Sequence, residues 1–287
     1  MILTDSSAAN VGATAVTAIA SATPSTLQFM CYALTQVQSL QLGLLNLEKN
    51  GTETLRLSGT SVTFSGTIKI NNGAFEIGNS SALNGIISGN GSVIKLSGLP
   101  NPTINGNNTY SGGTSINGII NIGNNNAFGT GAVTATGSSA QIIAASSLTL
   151  PNNFQINSGA TMQYRVNGGL ITLIVSGDIS GDGSLNKTST GRLYLDGTLT
   201  YTGSTNITAG LFRARKTEGA STATATFSNT TLSVAFNVSP PSGATTNFRF
   251  FQGTTVQTYA AVTLSGLPVG STAIYTSANS TLSVTVP

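Results

Sequence analysis

Eight carboxylates, seven tyrosines, one cysteine and many serine and threonine hydroxyls are the only groups from which this 287-residue chain could build chemistry, because it has no histidine and no tryptophan. Without an imidazole, neither a Ser-His-Asp nor a Cys-His arrangement can be assembled, and a transition-metal site lacks its commonest ligand. The carboxylates come closest together in sequence at Asp178, Asp182 and Asp196, the first two within SGDISGDGS and the third in LYLDG. Two carboxylates on one face of a rigid scaffold are what a glycoside hydrolase requires, so a polysaccharide-degrading β-helix is one reading of these residues. Aspartate beside glycine is also what a turn selects, since its side chain bonds its own backbone two residues on, and the turn is the expected role here. GDISGDG resembles part of a calcium-binding nonapeptide, but that signal depends on tandem repetition, and Asn90 holds the matching place in the other copy. The chain is expected not to be an enzyme, with no catalytic residue, no cofactor and no metal.

The remaining reactive groups have structural explanations. Cys31 lies among Leu27, Met30 and Leu34, where a buried thiol fits better than a nucleophile. Arg213, Arg215 and Lys216 form the one basic cluster, and their alternation suits the solvent face of a strand. The net charge of +3 comes from 11 basic and 8 acidic residues scattered along the chain, so no nucleic-acid partner is expected. Tyr110, Tyr164, Tyr194 and Tyr201 are the aromatics that could stack on sugars. Tyr110 and Tyr201 occupy the place that Phe64 holds in another copy of the same pattern, which argues for packed rings with incidental hydroxyls. Tyr164 and Tyr194 remain as candidate glycan contacts.

These side chains must be held by strands. Only 7% of residues are charged, against about 25% in an average soluble domain, and 39% are hydrophobic, in short β-branched runs separated by glycine turns. Three segments align: residues 47–79, 93–124 and 185–215. Their lysines, Lys49, Lys95 and Lys187, are 46 and 92 residues apart. An internal repeat of this period indicates a solenoid or array. Apolar residues alternate within each copy, at Leu55 and Leu57, Ile68 and Ile70, and Leu193 and Leu195, as in half-buried strands, and Asn-Gly and Asp-Gly pairs mark the turns. Two coils per 46-residue unit, stacked at about 4.8 Å, would give a parallel β-solenoid.

The ordered motifs ISGNGSVIKLSG, ISGDGSLNKTSTGRLYLDG, NTYSGGTSIN and YTGSTNITAGLF resemble the autotransporter-associated β-strand repeat. The resemblance implies a right-handed parallel β-helix, as in passenger domains of secreted bacterial surface proteins and in similar repeats on phage structural proteins. The expected fold is therefore all-β: a right-handed parallel β-helix over residues 45–222, a short N-terminal arm and cap over 1–44, and a small C-terminal β-sheet or β-sandwich over 223–287. Thr23-Pro24 reads as a helix start, with Leu27, Met30, Leu34 and Val37 following at three- and four-residue spacing. A helix over 24–38 is expected there, and those four residues are the candidate oligomer contacts.

No apolar run is long enough to span a membrane, the first residues lack the pattern of a secretory signal, and no translocator barrel follows the repeats. On those grounds the leading expectation is a non-enzymatic structural or adhesive solenoid on a particle surface, as a phage virion fibre, spike or capsid-decorating protein. The expected partners are further copies or other virion or surface proteins, with cell-surface glycan as a ligand. The alternative is a secreted adhesin or extracellular filament subunit at the bacterial cell surface.

Overall fold

In the computed structural model the described residues are the strands 2–5, 16–17, 26–31, 35–37 and 40–41, followed by residues 46–57, 63–218, 221–227, 231–249, 261–276 and 281–287. They form two compact units, one made mainly of residues 1–143 and the other mainly of residues 154–287.

The first unit is a parallel β-solenoid. One sheet stacks Ile2–Asp5, Thr26–Cys31, Asn46–Asn50, Ile68–Ile70 and Ile87–Gly89. A second runs through Thr35–Val37, Thr54–Leu57, Ala74–Ile77, Ser92–Lys95, Thr114–Ile116 and Val133–Ala135. A third includes Thr63–Phe64, Ala82–Leu83, Thr103–Ile104 and Ile119–Ile122. The register sets the coil length. Leu27, Leu47, Ile68 and Ile87 form one column, and Leu55, Phe75, Val93, Thr114 and Val133 another, so successive partners are 18 to 21 residues apart. Most of the strands whose burial is described bury alternate residues, as strands with one face on a core must: Leu47, Leu55, Ile70, Phe75, Val93 and Ile104 are all at most 1% exposed, whereas Ala74–Ile77 is buried throughout.

A coil of about 20 residues gives about eight turns, in keeping with the expectation of roughly two coils per repeat. The 46-residue period is two coils and about six residues more, which is the step from one face to the next. Lys49 thus lies in the first sheet and Lys95 in the second, and the segment after Phe64 (Ile68–Ile70) lies in the first whereas the segment after Tyr110 (Thr114–Ile116) lies in the second.

The corners are held by glycines. A Cβ on Gly85 would lie 1.6 Å from the Gly66 carbonyl oxygen, and one on Gly106 would lie 2.1 Å from that of Gly85. The column Gly66, Gly85, Gly106 therefore marks a corner where consecutive coils approach closely. Asn84 and Asn105, just before two of these glycines, bond amide to amide at 2.8 Å.

The second unit begins with the same parallel architecture. Phe154 pairs with Ile179, Met162 with Leu185 and Leu185 with Thr205, and Leu173 with Leu193 and Leu193 with Phe212. The pairing then reverses: Leu211–Glu218 is antiparallel to Ser221–Phe227, which is antiparallel to Thr231–Val238. A separate three-stranded antiparallel sheet joins Thr245–Arg249, Thr281–Thr285 and Thr272–Thr276. The edge-to-face contact between Phe236 and Phe248, 5.2 Å between centroids, lies between these C-terminal strands.

The described residues of the segment 24–38, where a helix was expected, form no helix. Thr26–Cys31 and Thr35–Val37 are strands, and the parallel stack begins with Ile2–Asp5. Leu27, Met30 and Val37 lie on two strands, and their spacing mimics helical periodicity. Leu34 lies outside the described residues.

Candidate functional site

The most unusual polar groups are the three repeat lysines. Lys49, Lys95 and Lys187 each expose none of their surface. An ammonium taken out of water needs its donors satisfied, and here backbone carbonyls satisfy them. Lys49 Nζ donates to the carbonyls of Asn50, Gly51 and Asn72 at 2.8, 2.8 and 3.0 Å. Lys187 Nζ donates to Thr188, Ser189 and Ala209 at 2.8, 2.7 and 3.1 Å. Lys95 Nζ donates to Leu96 and Leu99 at 2.6 and 3.2 Å. In each case the lysine is the last or next-to-last residue of a strand and its head gathers the turn that follows. At Lys49 and Lys187 it also ties in a carbonyl from the next coil. Burial lowers Lys187 to about 8 and also lowers Lys95, the latter partly offset by the Glu76 carboxylate. No substrate reaches these amines, so they act as staples.

The repeat tyrosines are likewise internal. Tyr110 and Tyr201 are fully buried, and their hydroxyls lie 2.5 Å from the Oγ1 of Thr114 and Thr205 respectively. The expectation of an incidental hydroxyl is therefore corrected: each is paired with the residue four positions on. The sequence carried that signal, because the copy with Phe64 has Ile68 where the others have threonine. Tyr164 is also fully buried, packed edge-to-face on Phe154 at 5.9 Å. It presents no surface to a glycan, which removes it as a contact residue.

The carboxylates are engaged locally. Asp178 accepts the Thr198 amide at 2.8 Å and Asp182 the Thr202 hydroxyl at 3.0 Å, each joining one coil to the next. Asp196 forms an ion pair with Arg213 at 2.9 Å. The Arg213 guanidinium also lies over the Tyr194 ring, 3.8 Å from its centroid, so the remaining glycan candidate sits half-buried beneath a cation. Glu76 is buried and pairs with Arg56 at 2.7 Å. Among the described residues no three or more His, Cys, Asp or Glu side chains gather as a metal site, and no helix is long and apolar enough to cross a membrane. Leu27 and Met30 lie on the Thr26–Cys31 strand, and Val37 on Thr35–Val37.

Against known proteins, residues 47–77, 103–118 and 185–213 match the family model described as the passenger-associated-transport-repeat. The chain therefore carries this repeat, and the repeat here forms a parallel β-solenoid. The three matched segments fall within the three aligned in the sequence. No curated protein and no solved structure matches the chain.

Proposed function

We propose that the chain is a surface-displayed, non-enzymatic β-solenoid of the passenger type, working at the outside of a bacterial cell as an adhesive or filament-forming scaffold. The observation that carries this reading is the passenger-associated-transport-repeat at three places, with its marked residues used for folding. Lysine heads staple turns, tyrosine hydroxyls pair with threonines inside the core, and carboxylates link one coil to the next. In the first unit the repeat changes face from one copy to the next, so equivalent positions form no common column for a ligand. Such a repeat builds a scaffold, and recognition is left to residues particular to one coil.

The virion reading expected from the sequence has no support from the matched family, and the cell-surface alternative replaces it. Immunogold labelling with an antibody against the solenoid, on intact cells and on particles from the same culture, tests the proposal. Gold on the cell surface or on extracellular filaments is the expected result. Gold on virus particles with bare cells would overturn it.

A further inference from the structure

We infer that the outward face of the sheet containing Arg192–Leu195 and Leu211–Glu218 binds an acidic polysaccharide. This adds a ligand to the surface-display reading and can fail without it. The register places Arg192 opposite Leu211 and Tyr194 opposite Arg213, with Arg215 two residues further on the same face. The opposite face carries Leu193, Leu195, Phe212 and Ala214, all buried, so the arginines and Tyr194 point away from the core. Three of the six arginines in a chain poor in charge are thereby gathered on two neighbouring strands of one unit.

Charge complementarity selects the ligand. Asp196 is the carboxylate on this part of the face, and it is paired with Arg213. Arg192 and Arg215 have no ion-pair partner among the described residues, so the face is left with two free guanidiniums flanking a fixed one. The strand spacings put Arg192 and Arg215 about 14 Å apart with Arg213 between them, the length of a short oligosaccharide. Arg213 is held in place by Asp196 on one side and the Tyr194 ring on the other. A preorganised guanidinium suits the planar carboxylate of a uronic acid.

The same sheet continues across the antiparallel strands Ser221–Phe227 and Thr231–Val238, and Ser233 and Thr263 are exposed there, their hydroxyls bonding at 2.8 Å. An extension with exposed hydroxyls at Ser233 and Thr263 fits the hydroxyls of a sugar chain better than the phosphates of a nucleic acid or a lipid surface, both of which favour dense positive charge.

The test is titration of the full chain with polygalacturonate, with neutral dextran, double-stranded DNA and anionic phosphatidylserine vesicles run in parallel. Saturable, salt-sensitive binding of polygalacturonate is expected, with none of dextran. The Arg192→Gln/Arg215→Gln variant, checked for unchanged circular dichroism, should bind about tenfold more weakly, while Lys69→Gln in the other unit should bind as the parent does. The inference is overturned if polygalacturonate is not bound at low salt, if both variants bind equally, or if DNA or vesicles are bound more tightly. An ordered Arg213 is itself part of the inference: Tyr194→Ala should weaken polygalacturonate binding while leaving the unfolding temperature within a few degrees, and undiminished binding would contradict that role.

Discussion

Tyr201 Oη and Thr205 Oγ1 lie 2.5 Å apart in the core, and Tyr110 and Thr114 repeat the same pair at the same distance. Each hydroxyl is buried and bonded to the other, so removing one partner strands the other. Thr205→Val is expected to cost about 1–3 kcal/mol, the penalty of an unsatisfied buried hydroxyl, and Tyr201→Phe added to it should restore most of the loss. Urea unfolding of the two single variants and the double variant measures the coupling. Additive losses would mean that the pair does not interact.

The lysine staples predict a larger effect. Lys187→Met leaves the half-buried carbonyls of Thr188, Ser189 and Ala209 without this donor. A loss of about 2–4 kcal/mol is expected, whereas Lys69→Met on the exposed face should change stability by less than about 0.5 kcal/mol. Denaturant midpoints of the two variants decide the matter; equal, small effects would show that the ammonium is not needed.

The same groups set a pH dependence. Burial lowers Lys187 from 10.5 to about 8 in the folded chain. Between those values the unfolded chain holds more protons, so this group makes stability rise with pH through that window. Burial raises Tyr110, Tyr164 and Tyr201 above their ordinary 10, partly offset at Tyr110 and Tyr201 by the threonine hydrogen bonds. Their contribution is complete below 10 and is lost as pH climbs further, because the unfolded chain ionises first. Melting followed by circular dichroism from pH 7 to 11 should show a shallow rise and then a steep fall. A steady decline from pH 8 would contradict the lysine assignment.

Close approach of the coils predicts that Gly85→Ala, with its Cβ 1.6 Å from a backbone oxygen, destabilises by more than about 3 kcal/mol or prevents folding. Gly169→Ala, where a Cβ meets nothing within 4 Å, should be tolerated. Comparable behaviour of the two would mean that the corner is not tight.

Much of this was legible beforehand. Alternation at Leu55, Leu57, Ile68 and Ile70 identified strands, and the spacing of Lys49, Lys95 and Lys187 identified a repeat that builds a solenoid. Roughly two coils per repeat was legible, but the change of face was not, because a sequence repeat reports when similar residues recur, and a coil with three sheets lets them recur on a different face. Leu27, Met30 and Val37 were misread because apolar residues on two short strands, Thr26–Cys31 and Thr35–Val37, can reproduce helical spacing. Tyr164 was misplaced because alternation shows that one face is buried without showing which. The stacking of Arg213 on Tyr194 joins residues from strands 19 positions apart, and only register brings them together.

The coil length is tested most directly by disulfide trapping in a Cys31→Ser background. Lys69 stands beside Ser88 in the parallel register, whereas a coil of half the 46-residue repeat would put Ser92 there. Neighbouring parallel strands lie about 4.8 Å apart, within the reach of a disulfide. Mild oxidation should therefore cross-link the Lys69→Cys/Ser88→Cys protein rapidly and leave Lys69→Cys/Ser92→Cys reduced. Cross-linking of the second pair and not the first would contradict the coil of about 20 residues, and with it the change of face between copies of the repeat.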